Sequence, residues 1–150
     1  SDDHAVIAGA NCTTSSAATI AQIAGKNTGA QAAGLSYEAG GFITATWFDD
    51  AALHKSIADP ASRLNSNNVA TAIKIGNNKR LRVNGVQIGA VESTAMGVAT
   101  FNTGSIGCAT WANNYMQGSI YPVIAIKGTV GDSDLLTLER FVGQLSGVSI

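Results

Sequence analysis

The sequence predicts an α+β fold, a single domain over residues 1–150 in which an antiparallel or mixed β-sheet carries about three packed helices as an α/β sandwich. Three observations lead there. Residues 69–91 alternate with the period of a three-stranded meander, and residues 132–147 have the spacing and end signals of a helix. Two Ala-containing stretches before residue 60 read as further helices.

In chain order, the first strand falls around Ala5–Ala8. The stretch TTSSAATIAQIAGKNTG then reads as a helix, with Thr14 or Ser15 as cap, Ile20 and Ile23 sharing a face with Ala17 and Ala24, and Gly25 as its end. GGFITATWFDD reads as a strand covered on both sides, since neither alternate set is plainly polar. Asp49 suits the N-cap of a helix DAALHKSIA that Asp59-Pro60 stops.

The meander rests on Val69, Thr71, Ile73 and Ile75, then Leu81 and Val83, then Val86 and Ile88. Asn84-Gly85 is its hairpin signal, because both residues tolerate positive φ. Further strands follow, YPVIAIKG being the clearest. The closing helix has Asp132 or Ser133 as cap, Asp134 at the positive end of its dipole, an apolar stripe of Leu135, Leu138, Phe141, Val142 and Leu145, and Gly147 as terminator.

Composition narrows the class of protein. Apolar residues make up 45% and charged residues 13%, against roughly 25% charged in typical soluble domains. Gly, Ala, Ser, Thr and Asn replace the missing charge, a surface common in secreted proteins and assembly subunits. The net charge of −1 gives no general attraction to nucleic acid or anionic membranes. The apolar run VIAI is far short of the roughly 20 residues of a membrane-spanning helix. A start at Ser1 without Met or signal peptide is read as a mature secreted form.

Cys12 and Cys108 match no metal-ligand spacing, and neither has a CxxC partner or evident base. Two buried free thiols are one reading. A long-range disulfide agrees better with a secreted composition, and closing so long a loop contributes about 4–5 kcal/mol in the loop-entropy model. Asn11-Cys12-Thr13 also fits the N-glycosylation pattern.

Chemistry-bearing motifs are few. His54 follows Asp50 by four residues, so the two would share a helix face as an acid–base pair, although a cap carboxylate with an exposed His is the preferred explanation. No nucleophile elbow, phosphate loop, zinc or dinucleotide motif is present, and no metal or cofactor is expected.

Two binding candidates remain. Lys74, Arg80 and Arg82 project together if Gly76-Asn77-Asn78 is a three-residue turn, with no acidic residue on the adjoining strands to offset them. Negative charge on a partner would answer that patch, and so would a protective role against sheet-to-sheet aggregation. The other candidate is the stretch CATWANNYMQG, where Trp111 and Tyr115 stand among amides, as in sugar- or protein-binding loops.

The leading expectation is a secreted, non-enzymatic binding protein that recognises a protein or cell-surface glycan. In low charge, Ala/Gly-rich helix, disulfide and a dibasic Lys79-Arg80 step it resembles the style of fungal killer toxins and small effectors. The alternatives are an extracellular assembly subunit (pilin head, capsid or decoration protein), with self-association, and a small hydrolase using Asp50 and His54.

Overall fold

Residues 5–10 are apolar on both alternate sets: Val6, Ala8 and Ala10 on one side, Ala5, Ile7 and Gly9 on the other. A strand of that kind has to be covered on both faces, and the architecture is arranged around it. The computed structural model describes residues 3–24, 31–49, 54–97, 103–108 and 115–150. Among them are strands β1 (His4–Cys12), β2 (Ala18–Ala24), β3 (Gln31–Glu38), β4 (Phe42–Phe48), β5 (His54–Ser62), β6 (Asn68–Ile75), β7 (Asn78–Val83), β8 (Val86–Glu92), β9 (Thr103–Ile106) and β10 (Gly118–Lys127), and one helix, α1 (Asp132–Ser146).

The strands form two five-stranded antiparallel sheets in the orders β10-β1-β6-β7-β8 and β5-β4-β3-β2-β9. The fold is therefore an antiparallel β-sandwich with a single helix among the described residues. The expected α+β sheet with about three helices is incorrect.

The error has a physical source. Ala18, Ala21, Ala33, Ala45, Ala70 and Ala72 are at most 2% exposed and face inward between the sheets, packed with Ile20, Leu35, Tyr37, Ile43, Trp47 and Leu81. Packed sheets lie only about 10 Å apart, so large side chains need small ones near them. The alanines that suggest helices are the small members of that layer, and packing overrides their helix propensity. Residues 18–24 accordingly form β2, with a bulge between Thr19 and Ala21. Residues 54–62 form β5, an edge strand in which the Asp59-Pro60 step falls inside an irregularity of the β4 pairing. The helix around DAALHKSIA is thus not formed from His54 onward; residues 50–53 lie outside the described residues.

The meander is observed as expected, and Asn84 and Gly85 turn with φ of 51° and 77°. The preceding turn differs from expectation. It has two residues, Gly76 and Asn77, so Ile75 pairs with Asn78 and Lys74 with Lys79 rather than Arg80. A one-residue difference in register sends side chains to opposite faces. Lys74 and Lys79 thus face the other sheet, whereas Arg80 and Arg82 lie on the far side of their own sheet.

That far side is covered by α1, which packs on β1, β6 and β10 over Ala5, Ile7, Val69 and Ile73 through Leu135 and Val142. Gly9 allows the approach: a Cβ there would stand 2.9 Å from Tyr121 Cβ and still closer to the Ser146 hydroxyl. The helix starts after Gly131 with no side-chain cap, so Asp132 and Asp134 are first-turn residues, and it ends at Gly147 with φ of 72°. Its inward residues are Leu135, Glu139, Val142, Gly143 and Ser146, while Phe141 and Leu145 of the expected stripe are exposed.

Glu139 is inward because of Arg82. Arg82 Nε and Nη2 donate to the two carboxylate oxygens of Glu139 at 2.8 and 3.0 Å, and Nη2 also donates to the Gly85 carbonyl. Arg80 Nη2 donates to Asp132 Oδ1 at 2.9 Å. That bond and the guanidinium charge hold the Asp132 carboxyl below its usual range.

Truncating Arg82 strands a fully buried carboxylate. Arg82→Ala is expected to lower unfolding free energy by about 3–5 kcal/mol, and Arg80→Ala, whose partner Asp132 is exposed, by about 1 kcal/mol or less. Urea unfolding of the two variants checks the contrast. Burial pushes the Tyr37 hydroxyl up to about 12 from 10.0. Because the neutral form is the one favoured in the fold, this contribution is complete below pH 10 and lost as pH rises towards about 12. In unfolding measurements across that window, the stability advantage of wild type over Tyr37→Phe should shrink with rising pH.

Candidate functional site

The residues singled out from sequence do not form one patch. Arg80 and Arg82 spend their charge on α1, and Lys74 faces the interior at 4% exposure. The acids that seemed missing from the adjoining strands lie on the helix, some 50 residues later. Trp111 and Asp50 lie outside the described residues. His54 begins a strand, so the shared helix face proposed for it and Asp50 does not exist.

Tyr115 is 63% exposed at one end of the sandwich. There the backbone joins Thr13 N to Gln117 O, Met116 N to Gly107 O, Gly40 N to Ser15 O and Asn65 N to Cys12 O.

The expected disulfide is absent: both cysteines are free thiols. Cys12 faces inward on β1, fully buried, with its Sγ donating to the Thr14 carbonyl at 3.2 Å. Cys108 is half-buried in the turn after β9, where its carbonyl accepts from the Ser105 hydroxyl. Neither expected secretion nor the glycosylation pattern draws support from a bridge.

A surface that the sequence did not reveal lies on the outer side of the sheet β5-β4-β3-β2-β9. Because Ile43, Ala45 and Trp47 point into the core, Phe42, Thr44, Thr46 and Phe48 point outward. The pairing registers extend this set into two cross-strand rows. One runs Ser105, Gln22, Gly34, Thr46, Ser56, and the next runs Thr19, Ser36, Thr44, Ala58. Thr19, Gln22 and Thr44 are nearly buried, whereas Ser36 and Thr46 are half-buried and Ser56 is open.

Phe42 and Phe48 flank the rows, roughly 20 Å apart along β4. Among the described side chains of this face only Glu38 is charged, and it accepts from the Ser36 hydroxyl at 3.2 Å. The Thr44 hydroxyl is buried and has no hydrogen-bond partner among the described residues. The arrangement offers short donors and acceptors on a rigid sheet between two aromatic rings. Among the described side chains it holds no nucleophile–base pair and no cluster of metal-ligating side chains.

Geometry and composition thus define a β-sandwich whose described outer face bears hydroxyls and a single charge, Glu38. The chain matches no protein-family model and no curated protein. Its fold is similar to that of the CBM40 of Ruminococcus gnavus IT-sialidase bound to α2,3-sialyllactose, with TM-score 0.72 and 14% identity over 92% of this chain and 82% of that one. It is also similar to Trypanosoma rangeli sialidase, with TM-score 0.71 and 14% identity over 95% of this chain. A third similar structure is the binding domain of botulinum neurotoxin serotype G, with TM-score 0.70 and 14% identity over 93% of this chain. This chain spans 23% of the T. rangeli sialidase chain and 36% of the neurotoxin domain. At such identity the likeness establishes the sandwich fold alone.

The free thiols give a direct check. Intact mass should be the same with and without reductant, apart from adducts. In the native protein Cys108 should react with a thiol reagent well before Cys12, and unfolding should make both react.

Proposed function

We propose that this chain is a non-enzymatic glycan-binding module whose docking surface is the outer face of the β5-β4-β3-β2-β9 sheet. The observation that carries the reading is the pair of uncharged hydroxyl and amide rows between Phe42 and Phe48. Sugars present hydroxyls on one edge and C–H groups on their faces. The half-buried and open hydroxyls of Ser36, Thr46 and Ser56 match the first, and aromatic rings match the second. Side chains fixed on a sheet lose little freedom on binding, which favours affinity from modest contacts.

The unpartnered Thr44 hydroxyl is consistent with a polar group or water completing the floor of the site. A face with no cation among its described side chains favours a neutral saccharide over an acidic one. The structural neighbours include a carbohydrate-binding module with a bound sialylated sugar, which supports the glycan class.

A second reading rests on Tyr115, an exposed ring two residues before Gln117, whose carbonyl accepts from the Thr13 hydroxyl at the end of the sandwich. It keeps the glycan partner and moves the site to the loops.

Binding of the protein to an array of neutral and sialylated oligosaccharides tests both. On the sheet reading, Thr46→Glu and Ser36→Arg abolish binding of a neutral glycan with unchanged circular dichroism, and Tyr115→Ala leaves it intact. Loss of binding with Tyr115→Ala alone moves the site to the loops. Absence of binding to any glycan overturns the proposal.

A further inference from the structure

The two sheets are not sealed along the side where β10 edges one and β9, next to β2, edges the other. Val6, Ala21, Ile23, Ile106, Val123 and Ala125 line a cleft of about 520 Å³ there, predominantly apolar. A smaller hollow of about 130 Å³ continues it, sharing Ile23 and Ala125 and reaching His4 and Lys127. The combined space falls in the range of small-molecule sites, roughly 300–1,000 Å³. It is elongated: Val123, Ala125 and Lys127 are alternate residues of one strand, so wall and mouth lie roughly 13 Å apart.

The mouth has a defined charge. Registers place Lys127 beside His4, His4 beside Lys74 and Lys74 beside Lys79, a row across four strands on the inner face of the sheet. His4, Lys74 and Lys79 are buried. Lys127 is the exposed end of the row, at the edge of the sheet, and makes no ion pair among the described residues. An anion at the mouth is favoured by Lys127, the exposed cation of this row.

A narrow apolar cleft with a cationic end fits a molecule of matching polarity, and we infer that it binds a single aliphatic chain bearing a carboxylate. The chain lies along Val123 and Ala125 between the sheets, and the carboxylate meets Lys127. The cleft borders the outer sheet face, since Gln22 and Ser105 also line it, but its aliphatic wall and Lys127 lie outside the hydroxyl rows, and uptake of dodecanoate is measured without any glycan.

Calorimetric titration with monomeric dodecanoate, and with dodecanol as the uncharged control, tests it. Wild type should bind dodecanoate saturably and dodecanol roughly fivefold or more weakly, the scale of one partly exposed charge pair. Lys127→Gln should bring dodecanoate down to the dodecanol level and leave dodecanol unchanged. Ala125→Trp should abolish both, and Ile106→Glu, at an exposed edge position, provides a second blockade should the first disturb folding. No saturable uptake by wild type, or uptake that neither blocking variant affects, overturns the inference. So does sedimentation with phosphatidylglycerol vesicles without uptake of monomeric dodecanoate, which would assign the cleft to a membrane surface.

Discussion

The thinness of the layer between the two sheets governs this structure. About 10 Å separates packed sheets, and Trp47 and Tyr37 are both fully buried within that gap. Their volume is accommodated because alanine recurs inside: at Ala8 and Ala10 on β1, Ala70 and Ala72 on β6, and Ala21, Ala33 and Ala45 opposite. Strand pairing fixes which residues meet, and that choice decides what each outer surface carries. One outer surface is apolar and takes the helix. The other is left with hydroxyls and amides.

The helix is held by more than apolar contact. Arg82 and Glu139 form a two-pronged ion pair at the boundary between sheet and helix, with Arg80 and Asp132 repeating the contact near the helix start. Buried pairs of this type confer orientation more dependably than stability, because desolvation offsets much of their attraction. Here they select which face of α1 turns inward. Glu139 and Ser146 occupy core positions, while Phe141 and Leu145 face solvent.

What could be read from the sequence follows the same logic. The meander, the Asn84-Gly85 turn and the final helix are legible because their signals are local: alternation, a positive-φ pair, a terminal glycine. Strands β2 and β5 were not, since Ala at helical spacing and Asp49 before an Ala pair imitate a helix and its cap. Their true role is visible only once the facing sheet is known. The outer hydroxyl face is hidden for that reason, since its β4 residues lie on a stretch that reads as a strand but their neighbours on β2 and β5 do not, although composition gives its chemical character. Arg80 and Arg82 were recognised as unusual, yet their acids lie on an element remote in sequence. The difference between two and three turn residues at Gly76 decided on which face Lys74 would lie.

Strand β1 occupies the middle of its sheet, bonded to β6 on one side and β10 on the other, with His4 opposite Lys127. Both apolar clusters draw on its residues. Its partners lie somewhat under half and about three quarters of the chain away, so closing these contacts fixes long loops before any local reward. Topologies of this kind fold slowly. During synthesis one edge of segment 4–12 can be met once residues 68–75 have emerged, but the other waits for residues 118–127. A strand buried on both faces in the finished molecule thus keeps one open edge until most of the chain has been made.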